Sequence, residues 1–420
     1  MEVDKVKILF VISVIFYILY ILQVLFLLVN HSKHYKREKR KINIVSRYCL
    51  WIVIPALNEE SVIGDTVVSL RNEIDKLNPN ITGHILVVDD QSSDDTFAIV
   101  QSKKEIVIQT TSDIAHTGKG SVLNFATNFV EQHKSEASEN IILIIDADGR
   151  ISSVDIETAI FDFQENPGLG MVQSAVKMIN INNALEIAQD VEFCGMNRKA
   201  QITRDNLGDG IASGNGQFVS LDMAKNVGWG NALLEDMEFT LRGWIKGYTS
   251  IFNDHVIVRQ QAVSSMYKYI RQRIRWCTGG LQCFKYLGEL YRSKYIQIGL
   301  KIDLTIDMVI PFLYIFVNII NIYVLYRQIY TLFTYHSVDY TLMSLLFIWI
   351  IITFLATISY QRYINWYFKN RENPKMHLSI WRAFINTLYY FVVNVITFFI
   401  PIVSLYKIMV GELKWDKTEH

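Results

Sequence analysis

Residues 8–29, ILFVISVIFYILYILQVLFLLV, contain no charged side chain, and about 20 such residues are enough to cross a bilayer as a helix. Wherever a chain meets lipid, its backbone groups must be satisfied internally, so this run limits the local choice to a helix. Three further apolar stretches follow near the other end, at 304–326, 341–360 and 383–406. The last contains Asn386, Asn394 and Pro401, so a kink or partial insertion is expected there. A content of 50% apolar residues and a mean hydropathy of +0.19 agree with a membrane chain.

The first run reads as a retained anchor rather than a cleaved leader, because its apolar core is long and no small-x-small site follows. Instead the flank HSKHYKREKRK carries six Lys/Arg against one Glu. Positive flanks stay cytoplasmic, which places the N-terminus outside and the soluble middle inside. Arg362, Lys369, Arg371, Lys375 and Arg382, between the last two apolar stretches, fit the same side. Counting spans then puts the C-terminal tail outside. A formal net charge of +0 argues against a nucleic-acid partner, and the basic run suits anionic lipid. Cys49, Cys194, Cys277 and Cys283 show no Cys-x-x-Cys spacing, so neither disulfides nor a zinc site is expected.

Between the apolar ends the pattern changes. LWIVIP, HILVVDD, EIVIQT and IILIIDAD are short β-rich runs, separated by helical periodicity at 60–73, 95–103 and 118–132. Such alternation predicts a mainly parallel sheet covered on both faces, with ligands at the carboxyl ends of its strands. Those ends carry Asn58-Glu59, Asp89-Asp90, and Asp146 with Asp148. Residues 170–260 read as mixed short strands and helices, and 262–292 as an amphipathic region lying in the membrane interface.

Asp90 can accept hydrogen bonds from a base or ribose, and we favour ligand contact for it; Asp94 and Asp95 are assigned to capping the next helix. Asp146 and Asp148, two apart on an expected strand, would face one side and share Mg2+ or Mn2+ with substrate phosphates. Glu235 and Asp236 open an expected helix. Position leaves two roles open for these acids, a helix-dipole contact or a general base for an attacking hydroxyl. Lys119, in HTGKGSVLNFA, could meet a diphosphate or cap its helix; the run lacks full Walker spacing. SGNGQFVS at 213–220 is either a plain turn or a place where backbone approaches an acceptor. Gln272, Arg275 and Trp276 share a helical face, offering a fork for phosphate and a plate for a sugar ring. Alone, that segment reads as a membrane-surface anchor.

In order, VIPALNEE, VVDDQSSDDT, GKGSVLNFA, DADG, LED and QRIRW resemble membrane-embedded processive family 2 glycosyltransferases with a GT-A domain. Cellulose, hyaluronan and poly-N-acetylglucosamine synthases are of this kind. One span before the catalytic region and about three after it most resemble the bacterial poly-β-1,6-N-acetylglucosamine synthases. The resemblance implies an α/β GT-A fold, Rossmann-like and mainly parallel, with α-helical transmembrane segments. It implies an N-terminal span at 1–30, a basic linker at 31–48, a catalytic domain at 49–260, interface helices at 261–300, membrane segments at 301–408 and a tail at 409–420.

It further implies a multi-pass protein of the bacterial plasma membrane, its catalytic domain cytoplasmic, extending a β-linked exopolysaccharide by inverting single displacement from a UDP-sugar. N-acetylglucosamine is the best-matched sugar. Asp89 and Asp90, Lys119, Asp146, Gln272 and Arg275 would then hold the donor, Asp146 and Asp148 the metal. Asp236 would be the base, and Glu235 and Trp276 would meet the acceptor. Leu234 stands where the family usually has Thr, which removes a hydroxyl near the acceptor; Gln91 replaces a common Gly. Four spans make a narrow pore, so an accessory subunit or a homo-oligomer is a further expectation. The alternatives are a non-processive transferase acting on a lipid-linked acceptor, a hyaluronan- or cellulose-type synthase using another sugar, and an inactive sugar-nucleotide sensor.

Overall fold

The computed structural model describes residues 42–337, 340–369 and 378–412, together with Ile15, Ile18 and Leu22. Most of the expected N-terminal span and of its basic flank lies outside the described residues, as does most of the tail after 408.

Among the described residues seven strands form one sheet: β1 (Tyr48–Ala56), β2 (Ile81–Asp89), β3 (Ile106–Gln109), β4 (Glu139–Ile144), β5 (Met171–Met178), β6 (Gln217–Ser220) and β7 (Ser250–Gln260). Their order is β3-β2-β1-β4-β6-β5-β7. The first four run parallel, with helices Ile63–Ile74, Thr96–Ser102 and Lys119–His133 in the connections. β6 lies antiparallel between β4 and β5, and β7 returns parallel to β5. The alternation along β1 shows why its apolar run is continuous. Leu50, Ile52 and Ile54 enter one core cluster and Cys49, Trp51 and Val53 another, because successive side chains point to opposite faces and both faces are covered.

Register fixes where the strands end. Ala56 stands beside Asp89, and Asp89 beside Gln109, so β1, β2 and β3 stop at one rim. β4 differs from expectation. It ends at Ile144, and the Asp146 carbonyl accepts the Gly149 N–H at 2.8 Å. Asp146-Ala147-Asp148 is therefore a turn beyond the strand, and the period of two does not orient its carboxylates.

The amphipathic region is helix Met266–Gln282, a short 3-10 turn and helix Leu287–Arg292. Among the described residues, Ile298–Tyr335 and Phe347–Tyr367 are long and apolar enough to cross a membrane. Ile380–Ile396 and Ile400–Val410 meet the same test only as a pair bent by 42°, at the stretch whose polar residues predicted a kink. These helices pack on the sheet domain: Tyr360, Tyr363 and Ile364 join Ala175, Val191 and Phe252 in one buried cluster. Ser404 also reaches the Ile274 carbonyl at 3.3 Å.

Candidate active site

A cleft of about 320 Å³ opens at the strand rim. Asp90, Lys119, Asp146, Asp148, Glu235, Asp236, Gln272, Arg275 and Trp276 all line it. Asp89 does not. It ends β2 facing the other way from Asp90, and its carboxylate accepts from the Gln109 side chain at 2.8 Å and, at longer range, from the Ser92 N–H. The structure thus brings Asp90, and not Asp89, to the cleft.

Asp90 is held in place by the Thr110 hydroxyl at 2.8 Å and the His116 N–H at 3.1–3.2 Å. Sequence reasoning missed both of these partners; β3 and the loop after it bring them back across the rim. Of the two expected caps, Asp94 accepts the Thr96 N–H at 3.0 Å, whereas Asp95 stands at the cap position with no such bond.

Lys119 begins helix Lys119–His133. Its ammonium lies 2.6 Å from Asp146 and 3.7 Å from Glu235, and donates to the Gly214 carbonyl at 3.2 Å. Burial alone would lower its pKa, but Asp146, Glu235 and Asp236 outweigh burial and raise it. Gly214 has φ +77°, and a Cβ there would stand 3.1 Å from Asp236 Oδ2. The Gly-rich run is thus more than a plain turn: it lets backbone reach between the lysine and the acid.

Asp236 sits in the first turn of helix Glu235–Ile245, whose cap position, Leu234, gives no side-chain hydrogen bond. Asp236 Oδ1 instead accepts the Met237 N–H at 2.7 Å, so the acid answers the exposed donors of its own helix. Burial and then Glu235 push its pKa up to about 7; Met237, Lys119 and Arg275 oppose them. A carboxylate in that range takes protons readily near neutrality.

Arg275 has a buried Nε–H that meets no acceptor, and its Nη1 reaches the Leu233 carbonyl only at 3.5 Å. A half-buried guanidinium with a donor to spare suits an anion in the cleft. Trp276 is fixed by neighbours that the motif does not reveal. Arg273 stacks 4.2 Å from its ring and donates to both Glu192 oxygens at 2.9 and 2.6 Å, while Phe193 packs against it in a T-shaped pair. Glu192 and Phe193 lie in a π-helical turn, Glu192–Asn197, a form that recurs at functional sites.

The acids suit a divalent cation only in part. Asp146 is 38% exposed in the cleft, and Asp148 Oδ2 accepts the Gln261 N–H at 2.7 Å. Among the described residues no group of three or more His, Cys, Asp or Glu side chains could hold a metal. Two carboxylates completed by phosphate oxygens are a set that Mg2+ or Mn2+ accepts. Lys119 already neutralises Asp146 and would compete for it.

The family model described as glycosyl transferase family group 2 matches residues 141–403, and that of glycosyl transferase family 2 matches 51–228. The chain is 26% identical over 385 residues to the probable glycosyltransferase YdaM of Bacillus subtilis (strain 168), covering 88% of this chain and 86% of that protein. It is 24% identical over 184 residues to the probable glucomannan 4-beta-mannosyltransferase 14 of Arabidopsis thaliana, covering 42% and 33%. Among solved structures, the mannosyltransferase PcManGT from Pyrobaculum calidifontis, in complex with GDP-Man and Mn2+, has a TM-score of 0.55 at 15% identity. It covers 92% of this chain, and 97% of its own chain is covered. That likeness is one of fold. The family match takes in more than half of the sequence, including every site residue from Asp146 to Trp276, and the chain belongs to glycosyl transferase family group 2.

Proposed function

We propose that this chain is a membrane-embedded synthase transferring N-acetylglucosamine from its UDP-sugar to a growing β-linked exopolysaccharide by inverting single displacement. The observation that carries the reading is the single cleft joining a turn after β4, the first turn of helix Glu235–Ile245 and one face of helix Met266–Gln282. In this reading an N-terminal span would precede a cytoplasmic catalytic domain, interface helices and about three membrane segments.

In this reading Asp90 accepts from the donor base. Lys119, Arg275 and Gln272 bind the diphosphate. Asp146 and Asp148 would hold Mg2+ or Mn2+ with the phosphate oxygens, and the cation would neutralise charge on the leaving diphosphate. Asp236 takes the proton from the attacking hydroxyl, its basicity raised by burial and by Glu235. Trp276 carries the acceptor ring on the face that Arg273 leaves open.

Support for the cation comes from the two carboxylates in one cleft and from the Mn2+ in the mannosyltransferase of similar fold. That protein's complex with GDP-Man makes the nucleotide and sugar worth testing together. The experiment supplies radiolabelled UDP-N-acetylglucosamine, UDP-glucose, UDP-glucuronate and GDP-mannose separately to membranes containing only this protein. Long polymer from UDP-N-acetylglucosamine is expected. Single-sugar products on a lipid would reject processivity, and polymer from another donor alone would reject the sugar.

A further inference from the structure

The cleft does not end at Trp276. Phe193, Asn197, Gln201 and Arg204 continue its wall along one side of the helical segment 192–207, and Asp307 closes it. At about 1.5 Å per residue, Phe193 to Arg204 spans roughly 16 Å. Asp307 belongs to helix Ile298–Tyr335, which is long and apolar enough to cross a membrane. An acid on such a helix is costly unless it is paired or borders a hydrated cavity; Asp307 does both.

The charges along this wall do not cancel. Arg204 donates Nε–H to Asp303 at 2.8 Å and places Nη2 2.8 Å from Asp307, so one guanidinium serves two carboxylates. Asp303 is nearly buried, with its side chain 11% exposed, while Asp307 is 40% exposed in the cleft. The uncompensated negative charge therefore faces whatever lies there. Gln201 adds nothing to offset it, because its amide is bonded on both sides to the Ile211 backbone.

We propose that Asp307, held by Arg204, is a specificity element of the acceptor path, admitting glycans that are neutral or carry amino groups and disfavouring those bearing carboxylate or phosphate. This rests on reading the cleft as a site of sugar transfer to a glycan. It narrows the acceptor class: uronate-containing chains and phosphate-linked lipid acceptors are selected against at the membrane end.

The test measures binding without turnover, on the full chain in lipid nanodiscs, by calorimetry. Three oligomers of equal length serve as probes: a neutral N-acetylglucosamine chain, its deacetylated glucosamine form at slightly acidic pH, and a uronate-containing chain. One uncompensated carboxylate within about 6 Å should separate cationic from anionic probes by about tenfold or more, a ratio that shrinks in high salt. Asp307→Asn should bring the ratio towards one and remove its salt dependence while leaving UDP affinity unchanged. Asp307→Glu should restore it. An unchanged ratio in Asp307→Asn, a preference for the anionic chain, or no binding of any oligomer by the native protein would overturn the proposal. Failure of the transfer reading looks different: no nucleotude sugar is consumed, yet the oligomers are still sorted by charge.

Discussion

Replacing Asp236 by Asn should cripple transfer and stabilise the fold at the same time. In the folded chain burial and Glu235 move this carboxyl from 3.8 to about 7. At about 1.4 kcal/mol per pH unit, the ionised form is disfavoured by up to about 4 kcal/mol relative to water. The sign follows from proton binding. Between 3.8 and about 7 the folded chain holds a proton that the unfolded chain has released, so stability falls as pH rises through that window and levels off above it. Asn never ionises and escapes the penalty. The variant should therefore match the native protein near the lower edge of the window and exceed it by up to about 4 kcal/mol at about pH 8. Transfer should fall by about 10²–10⁴-fold if Asp236 is the base. Thermal unfolding in nanodiscs across the pH range, beside radiolabel incorporation at saturating donor, reads both quantities. A variant that transfers sugar normally, or loses stability equally at every pH, would refute the reasoning.

Other outcomes follow from the same geometry. The native kcat/KM should rise with pH and flatten above about 7, where Asp236 is ionised; a profile flat down to about pH 5 would exclude it as the base. Asp148→Ala should remove the metal dependence of UDP binding, measured by calorimetry with and without Mn2+, and an unchanged dependence would count against its role. Gly214→Ala, at φ +77° and 3.1 Å from Asp236 Oδ2, should cost about 1 kcal/mol or more in stability and reduce transfer. Arg273→Met leaves Glu192 without its partner beneath Trp276 and should destabilise by about 3 kcal/mol, which a thermal scan would show.

Much of the sheet was legible because short, β-rich apolar runs alternate with helical periodicity and stop at polar residues. The strand–helix alternation from LWIVIP to IILIIDAD predicted the parallel half, and the amphipathic run before 292 predicted helix Met266–Gln282. Antiparallel β6 was not legible, since QFVS is too short to carry a pattern. The DADG turn was mistaken for strand because the apolar run continues through Ile145, whereas pairing with β1 and β6 ends at Ile144. Asp89 and Asp90 are chemically equivalent in sequence, yet one is bonded away from the cleft and the other lines it.

By itself, then, the sequence determined which segments are apolar, roughly where β1, β2 and β3 stop, and which acids, amides and rings appear in which order, because these depend on local chemistry and period. Tertiary packing alone decided that Lys119 sits on Asp146, that Asp236 is basic, that Arg273 underlies Trp276, and that Asp307 shares Arg204 with Asp303. Each depends on a through-space distance of a few ångströms, or on exclusion of water, between residues far apart along the chain. Only the packed fold sets those.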